Sequence, residues 1–480
     1  MELFDGTGYA LTRLVIQRGL AGIYLVAFLV AANQFRPLCG ERGLLPARER
    51  LDRLRFLDAP SLFHRRATDR AFGLAAWAGV ALAAFALAGL SERFGLAVSM
   101  ATWAALWALY LSFVNAGGLF YGYGWETLLC EAGFLAIFLG PADLVPAWPV
   151  VWLFKWLAFR VMLGAGLIKL RGDPCWRDLT CLEYHYETQP MPNPLSWLLH
   201  RSPRGFHKLE VLATHFVQLV AVWGLLAPPP VSWIAGALVV GFQLTLVVSG
   251  NLSWLNWLTI LVALSAFTDA AIAAVTPLAA PAGLAPRPVA FDAAVAALAV
   301  LVAALSVRPV RNLFARRQLM NASFEPLRLV NTYGAFGSVT RERLEVVLEG
   351  TAAAAPGEAA EWREYGFRGK PGDPRRMPPW VAPYHLRLDW QMWFAALAPY
   401  QVPLWMVRLV ERLLEGDRAV SGLLRRDPFR GAAPPRYVRA GLWRYRFTTP
   451  AERRAGGGWW ARTRVGEYLP AVSLADLRRS

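Results

Sequence analysis

Apolar residues in the first two thirds of the chain come in unbroken runs, not in the alternation or single helical stripe of a water-soluble fold. Runs of roughly 17–25 residues, the length a helix needs to cross a bilayer core, lie at Leu14–Ala32, Ala71–Leu90, Leu96–Val114, Val151–Leu170, Leu209–Ala227, Val231–Ser249 and Val289–Val307. Two segments are weaker: Trp125–Leu139, short and carrying Glu126 and Glu131, and Leu252–Ala274, interrupted by Asn256 and Asp269. With both, the pattern predicts about nine membrane segments, the weak pair crossing, re-entering or lying inside the bundle. After Val307 no run of that length recurs. Leu344–Leu348, Glu361–Phe367, Tyr437–Phe447 and Trp459–Val465 read as strands, and Leu388–Leu397 and Leu404–Leu414 as helices. The predicted architecture is an α-helical multi-pass membrane bundle over residues 1–307, with structured loops at 33–70 and 171–208. An extramembrane α+β domain follows over 308–480.

Composition sharpens this picture. At 56% hydrophobic residues with 21 tryptophans, the chain falls outside the usual range of soluble domains. A formal charge of +16 raises nucleic acid as a partner, but the arginines crowd the loops and the C-terminal region, where acids are interleaved, and no helix-turn-helix, RNA-recognition or zinc-knuckle pattern occurs. Nucleic acid is therefore excluded as a partner, and the basic loops read as topology determinants or contacts to membrane lipids. The opening MELFDGTGYALTRLVIQRGL lacks a basic n-region followed by a small-residue cleavage site, so the first segment is expected to remain as an anchor. With nine crossings, the arginine-dense loop 33–70 shares a side with loop 171–208 and the C-terminal domain. The excess of positive charge there assigns that side to the cytoplasm. Arginine in preference to lysine, with abundant alanine, fits a GC-rich bacterial genome and hence a cytoplasmic membrane.

The chemistry concentrates in Lys169–Pro194, KLRGDPCWRDLTCLEYHYETQPMPNP. A connection this long and varied between two apolar segments is expected to be structured and functional, with Trp176, Tyr184, His185 and Tyr186 as candidates. His185 suits a hydrogen-bonding role between its two tyrosines. Cys175 and Cys181 are compatible with a local disulfide in an oxidising compartment or with two structural thiols; their spacing is not that of a zinc site. Inside the apolar segments, Glu126 and Glu131 on one helix and Lys155 and Arg160 on the next predict buried ion pairs that fix the packing of the two. In the C-terminal domain, Trp390 and Trp393 are candidate exposed anchors for a partner protein. No metal-ligand spacing, nucleotide-binding loop or nucleophile motif is present, so neither metal nor cofactor is expected.

Several long strings carry a resemblance: GLFYGYGWETLLCEAGFLAIFLGP (Gly118–Pro141), RVMLGAGLIKLRGDPCWRDLTCLEYHYETQPMPNPLSW (Arg160–Trp197), NLSWLNWLT (Asn251–Thr259), NTYGAFGSVTRERLEVVLEGT (Asn331–Thr351) and PPWVAPYHLRLDWQMWFAAL (Pro378–Leu397). Through these the sequence resembles the lipase maturation factor family of multi-pass membrane proteins. The resemblance implies a non-enzymatic maturation factor or chaperone for secreted client proteins, lipases first. In eukaryotic relatives it implies an endoplasmic reticulum membrane with the C-terminal domain on the lumenal side, opposite to what the charge distribution predicts. FRGKPG (Phe367–Gly372) lacks the cysteine expected of animal relatives, which argues against a redox role. A shorter stretch, AGLIKL (Ala165–Leu170), is similar to a segment of vitamin K-dependent γ-carboxylase and its bacterial membrane relatives. That similarity implies the alternative of a membrane-embedded enzyme with Lys169 as its base.

Overall fold

The computed structural model describes residues 6–357 and 359–479 of the 480-residue chain. Among these described residues, seven helices are long and apolar enough to cross a bilayer. In chain order the bundle helices are α1 (Ala10–Cys39), α2 (Asp69–Leu87), α3 (Leu96–Gly117), α4 (Gly124–Ala136), α5 (Trp148–Arg171), α6 (Arg204–His215), α7 (Val231–Ser249), α8 (Leu255–Ala263) and α9 (Val289–Phe314). α6 reaches full length through a π turn, Phe216–Val220, and a 3-10 turn, Ala221–Leu226.

α4 and α8 are the weak segments of the sequence, and neither is long enough alone to span a hydrocarbon core about 30 Å thick. Both are buried in the bundle, and both connect its two ends. α4 starts beside the C-terminal domain, where Trp125 Nε1 donates to His385. The turn after it arrives at the opposite end, where Gln17 Nε2 donates to Gly140 O. α8 likewise begins where Asn251 Nδ2 donates to Pro379 O. It ends near Asp269, whose carboxylate accepts the Ala10 and Leu11 amides at 2.9 and 2.8 Å. That contact caps the first turn of α1, whose amides have no partner within their own helix. The chain thus passes nine times between the ends, seven times by long helices and twice by short interior ones.

The lipid-facing surface is legible from exposure. Leu74 and Trp77 of α2, Ile234 and Leu244 of α7, and Val289 and Val300 of α9 all point outward. Such a belt of large apolar side chains suits acyl chains and not water. α5 runs through the middle of the bundle and is buried along most of its length.

The C-terminal domain holds one antiparallel sheet in the order β2-β1-β3-β4. Its strands are β1 (Arg343–Thr351), β2 (Arg363–Glu364), β3 (Tyr437–Phe447) and β4 (Trp460–Val472). β2 is shorter than the pattern over Glu361–Phe367 predicts, because the chain leaves the sheet at Gly366 to bridge Arg426. β4 runs past the predicted Val465 through Gly466 and Pro470. It is an edge strand with register shifts against β3, and both residues are tolerated there. Helices α10 (Arg387–Leu397) and α11 (Leu404–Leu414) pack against the sheet and the bundle. One apolar core runs without a break from the bundle into this domain.

Candidate functional site

The chemistry singled out in the sequence gathers at the junction between bundle and C-terminal domain. Glu126 and Glu131 are five residues apart on α4, so they point about 140° apart, and the fold uses both directions. Glu131 pairs with Arg160 of α5. Its second oxygen accepts from the Asn331 amide and side chain, both at 3.0 Å, and from the Tyr333 hydroxyl at 2.7 Å. Arg160 in turn donates to Asn331 O at 2.8 Å. One buried ion pair therefore fastens the segment that leads into the C-terminal domain.

Glu126 turns to the domain itself. Its Oε1 accepts from Arg387 Nη1 at 2.7 Å, and its other oxygen accepts from the Tyr110 hydroxyl. Arg387 also donates to Phe120 O at 2.6 Å and lies 3.4 Å over the Tyr121 ring. The backbone on either side of it is gripped by Gln34 of α1, which donates to His385 O at 2.7 Å and accepts from the Arg387 amide at 3.0 Å. His385 Nδ1 accepts from Trp125 Nε1 at 3.3 Å. Burial, reinforced by the Arg387 charge, pushes its imidazole down to about 4, so the ring is neutral at physiological pH.

The pairing differs from the sequence-based expectation, which set both acids opposite Lys155 and Arg160. α4 and α5 are antiparallel. Once Arg160 faces Glu131, Glu126 and Lys155 lie five residues away in opposite directions, roughly 15 Å apart along the axis. Lys155 is buried under the Tyr9 ring, 5.7 Å from its centroid.

The Lys169–Pro194 connection is folded. Cys175 and Cys181 are joined by a disulfide that closes the turn around the buried Trp176, whose indole donates to Phe336 O at 2.8 Å. Leu182–Thr188 is a short helix carrying Tyr184, His185 and Tyr186. The Tyr186 hydroxyl donates to Glu210 of α6 at 2.6 Å. Lys169 Nζ donates to Ala165 O and to Gln218 Oε1, both at 3.1 Å, and lies 5.2 Å from the Trp176 ring centroid. Gln218 belongs to the π turn of the α6 passage, which directs its amide inward. Its neighbours are thus a backbone carbonyl, a side-chain amide and an indole face.

Three expected partner-binding aromatics are interior. Trp176, Tyr186 and Trp390 are buried, because they fill the seams where the connection, the bundle and the domain meet. Tyr184, His185 and Trp393 are half-buried, and the Trp393 indole donates to Thr188 O at 3.1 Å. Exposed apolar side chains of the domain include Met377, Trp380 and Val465, and four cluster at the corner between α10 and α11: Phe394, Leu397, Leu404 and Tyr400, the last 98% exposed.

Sequence reasoning missed Arg387, His385 and Arg343. Arg343 is buried at the start of β1, where its guanidinium bonds Glu345 at 2.6 Å and the carbonyls of Glu187, Gln189 and Pro190 at 2.5–3.1 Å. The available signal was an arginine amid apolar and aromatic neighbours, in HLRLDW and RERLEVV.

Comparison with known proteins covers nearly the whole chain. A family model described as lipase maturation factor transmembrane domain matches residues 11–274, and one described as lipase maturation factor C-terminal domain matches residues 329–470. Lipase maturation factor 1 of Bos taurus is 47% identical over 98% of this chain and 90% of its own length. The Homo sapiens protein of that name is 45% identical over 99% and 90%. Lipase maturation factor 2 of Homo sapiens is 30% identical over 98% and 84%. No solved structure is significantly similar. Neither these relatives nor the geometry at Lys169 favours a carboxylase-like enzyme. The chain belongs to the lipase maturation factor family.

Proposed function

We propose that the protein is a membrane-anchored maturation factor that assists the folding and assembly of secreted clients, lipases first, by binding them and not by bond chemistry. The observation that carries this reading is full-length similarity to lipase maturation factor 1, through both the bundle and the domain docked on it. The client surface in this reading is the corner formed by Phe394, Leu397, Tyr400 and Leu404. It stands beside the membrane end of α3, where Gln391 donates to Leu119 O at 3.2 Å, and a partly folded chain emerging at the bilayer would meet it first. Exposed apolar patches of this kind mark interaction sites. Co-expression with a secreted dimeric lipase should raise the specific activity of the lipase while its polypeptide level stays about constant. Tyr400→Asp with Leu404→Asp should remove most of that gain, roughly tenfold for two interface anchors, without lowering the factor's own abundance. Equal lipase activity with and without the factor would reject the reading.

In this reading the domain-bearing end faces the extracytoplasmic side: the periplasm at a bacterial cytoplasmic membrane, or the lumen of the endoplasmic reticulum in a eukaryote. Support comes from the Cys175–Cys181 disulfide, which lies at that end, because disulfides persist in oxidising compartments. A phosphatase reporter active only outside the cytoplasm, fused after Arg479, should be active; an inactive fusion, with a cytoplasmic reporter active at the same point, would reverse the orientation.

A further inference from the structure

A second feature of the C-terminal domain lies away from the α10–α11 corner. Arg368, Arg376, Arg425 and Arg430, with Gly422 and Leu424, line a cavity of about 450 Å³, within the 300–1,000 Å³ range of small-molecule sites. Two of the arginines are set by backbone carbonyls. Arg376 donates to Phe367 O at 2.8 Å and to Arg368 O at 2.5 Å, and Arg368 donates to Gly422 O at 2.6 Å. The segment bearing Arg425 is tied to Gly366, whose carbonyl accepts the Arg425 amide at 2.8 Å and whose amide donates to Arg426 O at 2.9 Å. The side chains of Arg368, Arg425 and Arg430 are exposed and that of Arg376 is half-buried.

No carboxylate lines this cavity, and among the described residues none of its four guanidiniums is in an ion pair. Elsewhere on the same domain three arginines are neutralised by carboxylates, Arg439 by Glu349, Arg446 by Glu452 and Arg462 by Glu364, whereas exposed Arg436 and Arg464 stand apart from the cavity. Burial lowers the proton affinity of Arg376; the neighbouring charge of Arg425 adds to this, and Asp389 and Asp373 act against it. Four cations around one opening repel one another unless an anion sits between them. Guanidinium forks match the oxygens of phosphate and sulfate groups, and the cavity has only Leu424 as an apolar wall, too little to hold a hydrophobic anchor.

We propose that this cavity binds a phosphate- or sulfate-bearing ligand. Arg368 and Arg376, each hydrogen-bonded to backbone carbonyls, hold one side of it, and Arg425 and Arg430 close on the anion from the other. Two sources share that chemistry, a soluble oxyanion and a phospholipid headgroup. The second is within reach because Gly422 follows the short helix Arg418–Ser421, which packs on α1.

The test is calorimetric titration of the full-length protein, in zwitterionic detergent at physiological ionic strength, with inorganic pyrophosphate as probe. Saturable binding is expected, weakened about tenfold or more by Arg425→Glu with Arg430→Glu, because charge reversal removes two charge-assisted contacts. Arg436→Glu with Arg464→Glu makes the same change of net charge at exposed positions outside the cavity and should alter binding by less than about twofold. Both double variants should unfold at the wild-type temperature. Repeating the titration in phosphatidylcholine nanodiscs, with and without phosphatidic acid, separates the sources. Loss of pyrophosphate binding when phosphatidic acid is present assigns the site to a headgroup, and equal binding assigns it to a soluble ligand. Absence of saturable binding, or equal weakening in both variants, would overturn the proposal.

Discussion

Arg387→Met should cost about 3–5 kcal/mol and release the C-terminal domain from the bundle, because it leaves the Glu126 carboxylate buried without its cation. Glu126 and Arg387 are fully buried and 2.7 Å apart, and the same guanidinium holds Phe120 O and covers the Tyr121 ring. Against a total stability of roughly 5–15 kcal/mol for a typical domain, the loss is large enough to see as a fall in the thermal midpoint in detergent. It should also appear as faster proteolysis of the 315–342 linker. Arg387→Met combined with Glu126→Gln should recover much of the loss, since removing both charges also removes the orphaned one. A single variant costing less than about 1 kcal/mol, or a double variant no better than the single, would mean that the pair does not hold the junction.

The same junction should weaken in acid. His385 titrates at about 4 in the folded protein, below its ordinary value of 6.5. As pH falls below about 6.5, the unfolded chain takes up a proton that the folded chain refuses. Stability is therefore intact above that pH and declines towards pH 4, by at most roughly 1.4 kcal/mol per unit for this group. His385→Gln should flatten that part of the profile.

What could be read from the sequence follows from how far each signal reaches along the chain. The seven long helices are local patterns, and hydropathy alone places them. α4 and α8 were recognisable as weak segments, but their burial depends on neighbours that shield their polar residues. α11 shows the limit of a local reading. Its amphipathic pattern predicts a helix over Leu404–Leu414, which forms as such. The buried stripe, however, starts at Trp405 and Met406, and leaves Leu404 exposed, because the direction of the core is set by the sheet. The partner of Glu126 lies 261 residues away, and no spacing rule reaches that far. Trp176, Tyr186 and Trp390 were readable as special residues but not as interior ones. An aromatic side chain at a protein seam and one at an open surface have the same local sequence signature.

The second large effect concerns Arg343. Its five guanidinium donors meet Glu345 and three backbone carbonyls of the Lys169–Pro194 connection, so one side chain fastens that connection to the sheet. Lysine keeps the charge but is a point donor, without the planar fork that reaches carbonyls in different directions. Arg343→Lys should therefore cost about 2–4 kcal/mol, the toll of buried acceptors left unpaired, although Lys370 still neutralises Glu345 at 2.8 Å. The exposed Arg444, which pairs with Glu342 at 3.2 Å, is the control: Arg444→Lys should cost less than about 0.5 kcal/mol. Hydrogen exchange separates local from global loss. Faster exchange confined to Leu182–Asn193 would show that Arg343 acts as a latch, whereas uniform acceleration across the sheet would reduce it to general core stability. In the latch case, lipase maturation should fall with the loop while membrane insertion and abundance are unchanged, because nothing in the bundle depends on that guanidinium except the connection it holds.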